Sequence, residues 1–115
     1  MSVNPKSRNW CFTYFRLPGD PTHEHYWRNV VCKTFKYAVG QVEICPETGR
    51  EHLQGYGETH AVTFDCIKSK LGLRVHVESR RGTREQAVAY CTKQESRADG
   101  YDPRYHPDEE RFLAA

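Results

Sequence analysis

The 115-residue chain lacks the cysteine pattern of a disulfide scaffold or of a cysteine-bound zinc site. Its cysteines are odd in number and scattered, and no two of them form a CxxC pair: Cys11, Cys32, Cys45, Cys66 and Cys91. A disulfide framework and a cysteine zinc site are therefore disfavoured, and a reducing compartment is the expected environment.

Long apolar runs and nucleotide-binding loops are missing as well. No stretch is long and apolar enough to span a membrane, and no segment has the pattern of a secretory signal. There is no glycine-rich loop of the Walker type, so the sequence gives no reason to expect ATP binding. With 37% hydrophobic and 12% aromatic residues, the chain has the composition of one globular domain.

The net charge is only +2, from 17 basic and 15 acidic residues, but it is unevenly distributed. Between Lys68 and Arg84 there are six basic residues and one acidic residue, a net charge of +5, whereas the segment from Glu95 to Glu110 is acidic. A local basic stretch suits a phosphate-bearing partner. A solvated charged surface has the same composition and remains the alternative.

Hydrophobic periodicity and turn residues predict an α+β fold with a central antiparallel sheet of about five strands, helices packed on one face and the other face open, in an RRM/ferredoxin-like arrangement. The predicted elements are strand 9–15, a helix from Asp20 or Thr22 to about Cys32, strands 36–45 and 50–58, helix 63–71, strand 73–78, a basic loop at 79–82 and helix 83–97. The side chains expected to face the core are Trp10, Phe12, Tyr14, Trp27, Val30, Val31, Phe64, Ile67, Leu71, Leu73, Val75 and Val77. After Gly100, prolines and charges indicate a linker or tail.

Three polar side chains are predicted to converge on a hairpin whose turn joins Cys45 to Arg50. If these two residues oppose each other, Glu43 lies opposite His52, and Gln54 shares the face of His52 because alternate strand residues point the same way. A carboxylate, an imidazole and an amide oxygen form a mostly hard ligand set, which suits Mg²⁺ or Mn²⁺. The alternative is a polar hairpin that simply faces solvent.

The same register places Gln41 opposite Gln54, where it is either an outer ligand or without a role. Val42, Ile44 and Leu53 fall on the other side of the hairpin and are expected to face the core.

The last predicted helix presents Tyr90 and Lys93, one turn apart, on the side that also carries Gln86, Gln94 and Arg97. A phenol is a weak nucleophile at neutral pH, but it can attack a phosphate held by a metal while a lysine either stabilises the developing charge or positions the metal's water. Attack on phosphorus expels the 3′ oxygen and leaves a 5′-phosphotyrosine link. A tyrosine that packs at the edge of the core is the alternative.

Basic and aromatic residues near these segments are candidate contacts for a single-stranded nucleic acid, since basic side chains follow phosphates and aromatic rings stack on bases. They open the first strand, lie on the fourth strand, or follow it in the basic loop: Arg8, Asn9, Trp10, Arg74, His76, Arg80 and Arg81. All of these residue types are also common on protein surfaces or in cores.

Three short motifs, taken in order, resemble those of the Rep (replication initiator) HUH-type endonuclease domain of circular single-stranded DNA viruses. Residues 11–14 (Cys-Phe-Thr-Tyr) are similar to its first, structural motif, and residues 52–56 (His-Leu-Gln-Gly-Tyr) to its metal motif. Residues 90–93 (Tyr-Cys-Thr-Lys) are similar to its nucleophile motif, and residues 80–83 (Arg-Arg-Gly-Thr) also look familial. The resemblance covers residues 8–97 and is closest to circoviruses, nanoviruses and related satellite DNAs.

The resemblance implies a metal, Mn²⁺ or Mg²⁺, held by Glu43, His52 and Gln54, with Tyr90 as nucleophile and Lys93 in support. It implies nicking and rejoining of single-stranded DNA in the stem-loop of the viral origin, through a covalent intermediate, to start rolling-circle replication. Many relatives have a second histidine at the position of Gln54, so a lower metal affinity is expected here.

The resemblance also implies a domain organisation and a location. Residues 1–98 are expected to be the origin-nicking domain and residues 99–115 a linker toward a helicase domain. A host-nuclear location and no membrane partner are expected, and an oligomer of the full-length protein remains open. The first motif usually continues with Leu-Asn-Asn, whereas this chain has Phe15-Arg16-Leu17, so the following loop is expected to differ.

Two other functions remain open on the residues alone. A non-catalytic single-strand binding module with an RRM-like sheet would stack bases on an open sheet face and would bind without metal or covalent product. A structural or protein-interaction domain would show no change in melting temperature with DNA or metal, because only ligands that bind the folded state stabilise it.

Overall fold

The computed structural model describes residues 5–115 and contains a five-stranded antiparallel sheet. In chain order the elements are β1 (Lys6–Phe15), α1 (His23–Tyr26), a π-helical stretch (Trp27–Val31), α2 (Cys32–Thr34), β2 (Tyr37–Ile44), β3 (Glu51–Thr63), α3 (Phe64–Leu71), β4 (His76–Ser79), α4 (Arg84–Cys91), β5 (Arg104–His106) and α5 (Glu109–Ala114). The strand order in the sheet is β4-β1-β3-β2-β5. Within the described residues, none of these helices is long and apolar enough to cross a membrane. The first four residues of the predicted 1–98 domain lie outside the described range.

One face of the sheet carries the larger hydrophobic core. Trp10, Phe12 and Tyr14 alternate along β1, are at most 6% exposed, and pack in the same cluster as residues of the helical segment 23–34 and of α3. The ring of Tyr14 stacks on that of Tyr26, with the centroids 3.9 Å apart. The predicted strand and its inward face are therefore confirmed.

The opposite face of the sheet is partly covered, and not open as expected. Ala87 and Cys91 of α4 and Phe112 of α5 pack with Val39 and Tyr56 in a second buried cluster. The α+β fold with five antiparallel strands is confirmed, but helices lie on both faces. They do so because β2 and β3 carry apolar side chains on the second face as well, and these need cover.

Helix α4 begins where the sequence predicts. The Thr83 hydroxyl accepts a hydrogen bond from the Gln86 N–H, and the Gln86 side chain accepts one from the Thr83 N–H, so the predicted capping box is formed.

Helix α4 ends at Cys91, six residues before the predicted end near Arg97. The chain beyond it turns back along the edge of β2, where the Ala98 N–H donates to the Val42 carbonyl and Ser96 accepts from Ile44. These long-range hydrogen bonds replace the ones that would have continued the helix.

Three side chains expected in the core are exposed: Leu73 (80%), Phe64 (45%) and Ile44 (39%). Leu73 lies in the turn that precedes β4, which begins only at His76. Phe64 and Ile44 are terminal residues of their elements, where neighbours cover a side chain less completely.

Residues 99–115 contain regular structure where a linker or tail was expected. Strand β5 pairs with β2, and α5 buries Phe112 completely. The expected connection from this segment to a helicase domain stays a prediction.

Candidate active site

The predicted hairpin register is confirmed. Glu43 pairs with His52 and Gln41 pairs with Gln54 across β2 and β3, so all four side chains lie on the face of the sheet that carries α4. Glu43 and Gln54 are 2% and 7% exposed, and the Nε2 atom of His52 lies 3.4 Å from Oε1 of Glu43.

The donor atoms of these side chains fit a hard divalent cation. The Gln54 amide is oriented by two hydrogen bonds: its Oε1 accepts from the Thr13 hydroxyl at 2.9 Å, and its Nε2 donates to the Phe12 carbonyl at 3.3 Å. An amide oxygen has two lone pairs, so one remains for a cation. No cluster of three His, Cys, Asp or Glu side chains occurs in residues 5–115, so a three-ligand site here depends on Gln54.

Glu43 is a buried carboxylate whose charge is supported by its neighbours. Burial raises the pKa of Glu43, but hydrogen bonds from His52 and Gln41 and the charge of Lys93 lower it by more, so the net pKa lies below its ordinary value. The carboxylate is therefore anionic at neutral pH and attracts a cation.

Lys93 lies between this carboxylate and Tyr90. Its Nζ is 3.3 Å from Oε2 of Glu43 and 3.8 Å from the centroid of the Tyr90 ring. The two residues were expected one turn apart on a helix, but Lys93 follows the end of α4 and approaches Tyr90 through a turn. The Tyr90 side chain is 55% exposed, so a substrate can reach it.

A cleft of about 400 Å³ adjoins Tyr90 and Gln54. Three of the predicted DNA contacts line it, namely His76, Arg80 and Arg81. Arg80 and Arg81 therefore bring positive charge to the side of the cleft away from the hairpin, where Glu78 also lines it.

The other predicted DNA contacts lie elsewhere. Arg8 and Asn9 line a separate groove. Trp10 is 2% exposed in the core, so its predicted role in base stacking is wrong. Arg74 makes hydrogen bonds of 2.8 and 2.9 Å to the two carboxylate oxygens of Asp20 and lines a pocket beside Tyr14, away from the cleft.

Sequence reasoning missed two residues of this site. Thr13, which orients Gln54, could have been found, because Phe12 and Tyr14 face the core and Thr13 must then face the other way. Arg97 was expected on the helix with Tyr90, but its guanidinium bonds to Gln41 at 2.9 Å from beyond the helix end, for which the sequence carries no local signal.

The chain is similar to one protein family and to several individual viral proteins. The family model described as "Putative viral replication protein" matches residues 7–94. The chain is 36% identical over 91 residues to the master replication protein of Subterranean clover stunt virus (strain F), covering 79% of the chain and 29% of that protein. It is 29% identical over 106 residues to the replication-associated protein of Human associated cyclovirus 1, covering 87% of the chain and 35% of that protein.

A third similar protein is the replication-associated protein of Porcine circovirus 1, at 31% identity over 90 residues, with 76% of the chain and 28% of that protein covered. The chain thus spans between 28% and 35% of the length of these three relatives.

Proposed function

Because the chain belongs to the viral replication protein family, with relatives among the replication proteins of circular single-stranded DNA viruses, we propose that it nicks and rejoins single-stranded DNA at a viral origin. One observation carries the chemistry: Lys93 Nζ lies within 4 Å of both an anionic carboxylate and the ring of an exposed tyrosine. That arrangement supports a nucleophile beside a cation site.

In the proposed step, the Tyr90 oxygen attacks the phosphorus of a phosphodiester. A bond from the tyrosine oxygen to phosphorus forms, the bond from phosphorus to the 3′ oxygen breaks, the phenol proton leaves to water, and the 3′ oxygen takes up a proton. The products are a 5′-phosphotyrosine and a free 3′ hydroxyl. One phosphodiester replaces another, so the reverse attack by a 3′ hydroxyl rejoins a strand.

Glu43, His52 and Gln54 would hold the cofactor, Mn²⁺ or Mg²⁺. Such an ion withdraws charge from a phosphate oxygen and so makes phosphorus more electrophilic. The ammonium of Lys93 adds positive charge on the Tyr90 side, where negative charge develops during attack.

The proposed partner is single-stranded DNA of the origin stem-loop, and the proposed setting is the host nucleus. Support for a DNA partner comes from the cleft beside Tyr90, since Arg80 and Arg81 would neutralise phosphates along a strand that enters it. An RRM-like binding module is less well supported, because Tyr56 and Val39 on the second sheet face are fully buried.

The test is the formation of a covalent adduct. The protein is incubated with Mn²⁺ and a pool of stem-loop oligonucleotides with randomised loops, labelled at the 3′ end because the tyrosine would stay attached to the 3′ fragment. Wild type should give a denaturation-resistant labelled adduct, which Tyr90→Phe and added EDTA both abolish. Tyr101→Phe, at a tyrosine 41% exposed and outside the site, should behave as wild type.

If Tyr90→Phe formed as much adduct as wild type, Tyr90 would not be the nucleophile. A retained gel shift without any adduct would instead favour the binding module.

A further inference from the structure

We propose that Gln41 and Arg97 form a positioning pair that fixes the segment after α4, and with it Tyr90 and Lys93, against Glu43. This inference rests on the function proposed above and adds two residues to it. Neither side chain belongs to the predicted ligand set or reaches the cleft beside Tyr90.

Gln41 is only 1% exposed, and both polar atoms of its side chain form hydrogen bonds within the protein. Its Nε2 donates to Oε2 of Glu43 at 3.0 Å and to the Lys93 carbonyl at 2.7 Å, and its Oε1 accepts from Nε of Arg97 at 2.9 Å. A guanidinium only donates and a carbonyl only accepts, so these partners fix which end of the amide is which.

Arg97 completes the arrangement by capping the end of α4. Its Nη2 donates to the Thr92 carbonyl at 2.8 Å. The last carbonyls of a helix lack partners within the helix, and positive charge is favourable there. Arg97 therefore holds the Thr92 carbonyl while Gln41 holds the next one, that of Lys93.

The main chain around Arg97 is tied to the strand that carries Glu43. Arg97 forms an isolated antiparallel bridge with Glu43, and Ala98 donates to the Val42 carbonyl. The distance from the segment after α4, which carries Lys93, to the Glu43 carboxylate is thus set by β2 itself, through Gln41 and Arg97.

The two residues differ in what they touch, and this difference makes the proposal testable. Gln41 bonds to a predicted ligand as well as to the Lys93 main chain, so it should affect both cation affinity and the rate of attack. The guanidinium of Arg97 bonds to Gln41 and to the Thr92 carbonyl but to none of the predicted ligands, so it should affect the rate alone. A residue with a merely structural role would change melting temperature without this split.

The experiment compares Gln41→Leu and Arg97→Met with Gln94→Leu, a matched control at an exposed position of the same segment. Mn²⁺ affinity is measured by electron paramagnetic resonance without DNA, and adduct formation in a single turnover at saturating Mn²⁺. Gln41→Leu should weaken Mn²⁺ binding roughly 10- to 100-fold, as for other groups that orient a ligand. It should also slow attack by about 100-fold, the effect of a displacement near 1 Å.

Arg97→Met should slow attack by a similar factor with unchanged Mn²⁺ affinity, and Arg97→Lys, which keeps the charge, should recover part of the rate. A folded Arg97→Met protein with the wild-type rate would overturn the positioning role. If Gln41→Leu does not fold, the two Arg97 variants decide the matter.

Failure of the proposed function looks different, because wild type itself would then form no adduct. The Mn²⁺ affinities can still be compared in that case. Equal Mn²⁺ affinity of wild type and Gln41→Leu would overturn the proposal that Gln41 positions Glu43.

Discussion

Gln54 is the residue on which the proposed cation site depends, since it would supply the third donor. Its amide is held between the Thr13 hydroxyl and the Phe12 carbonyl, so the oxygen is presented in a fixed direction. An amide oxygen suits Mg²⁺ and Mn²⁺, whereas an imidazole nitrogen suits later transition metals and zinc. The identity of this one side chain should therefore set metal preference.

We expect Gln54→His to raise Zn²⁺ affinity relative to Mg²⁺ by roughly tenfold, or about 1.4 kcal/mol, because imidazole nitrogen replaces amide oxygen. Calorimetric titration without DNA measures this, with Gln94→His, at an exposed position outside the site, as the control. The same Zn²⁺ to Mg²⁺ preference in wild type and Gln54→His would exclude position 54 from the ligand set.

The grouping of Glu43, His52 and Gln54 was predictable from sequence because a short symmetric turn fixes strand pairing, and pairing fixes which side chains share a face. Lys93 was expected near Tyr90 from helical spacing, yet it comes close through a turn. Gln41 could be placed on the correct face, but its partner Arg97 could not be foreseen, because their contact joins two elements far apart in sequence.

Among the elements, strand β3 is built around close contact between glycines and aromatic rings. A Cβ atom added at Gly55 would lie 2.2 Å from the Phe12 ring, and one added at Gly57 would lie 2.3 Å from the Phe35 ring. These rings are fully buried and packed on each other with centroids 5.7 Å apart, so they have nowhere to move.

Gly55→Ala should therefore destabilise the protein by about 3 kcal/mol or more, the upper end for overpacked cores. Gly82→Ala is the matched control: its Cβ would lie 2.0 Å from Oε1 of Gln86, which is the end of a flexible, exposed side chain. That variant should lose only part of the capping box, about 1 kcal/mol. Urea unfolding followed by tryptophan fluorescence measures both, and equal costs would contradict the argument.

Element starts were predictable where a local signal sets them. Thr22, Thr63 and Thr83 each accept a hydrogen bond from the N–H three residues on, which is a short-range interaction written into the sequence. The end of α4 and the start of β4 were mispredicted because pairing with distant strands decides them.

For the molecule as a whole, the last seventeen residues complete the second core instead of trailing from it. Two prolines and many charges suggested a tail, and the three aromatic side chains, Tyr101, Tyr105 and Phe112, are too widely spaced to give a clear hydrophobic pattern. The burial of Phe112 depends on Val39 and Tyr56, which lie on strands far away in sequence. Such a docking site is invisible to local periodicity.

Phe112 ties this segment to the rest of the molecule, as its side chain is fully buried and its carbonyl accepts from Nη2 of Arg84 at 2.7 Å. Phe112→Ala should cost about 3–5 kcal/mol, the usual range for a buried aromatic, and lower Tm by at least about 10 °C. Leu113→Ala is the neighbouring control, because Leu113 is 56% exposed and should change Tm little. Thermal unfolding followed by circular dichroism measures Tm for both variants. Equal Tm values for the two variants would mean that the segment 99–115 is a dispensable tail, as its composition first suggested.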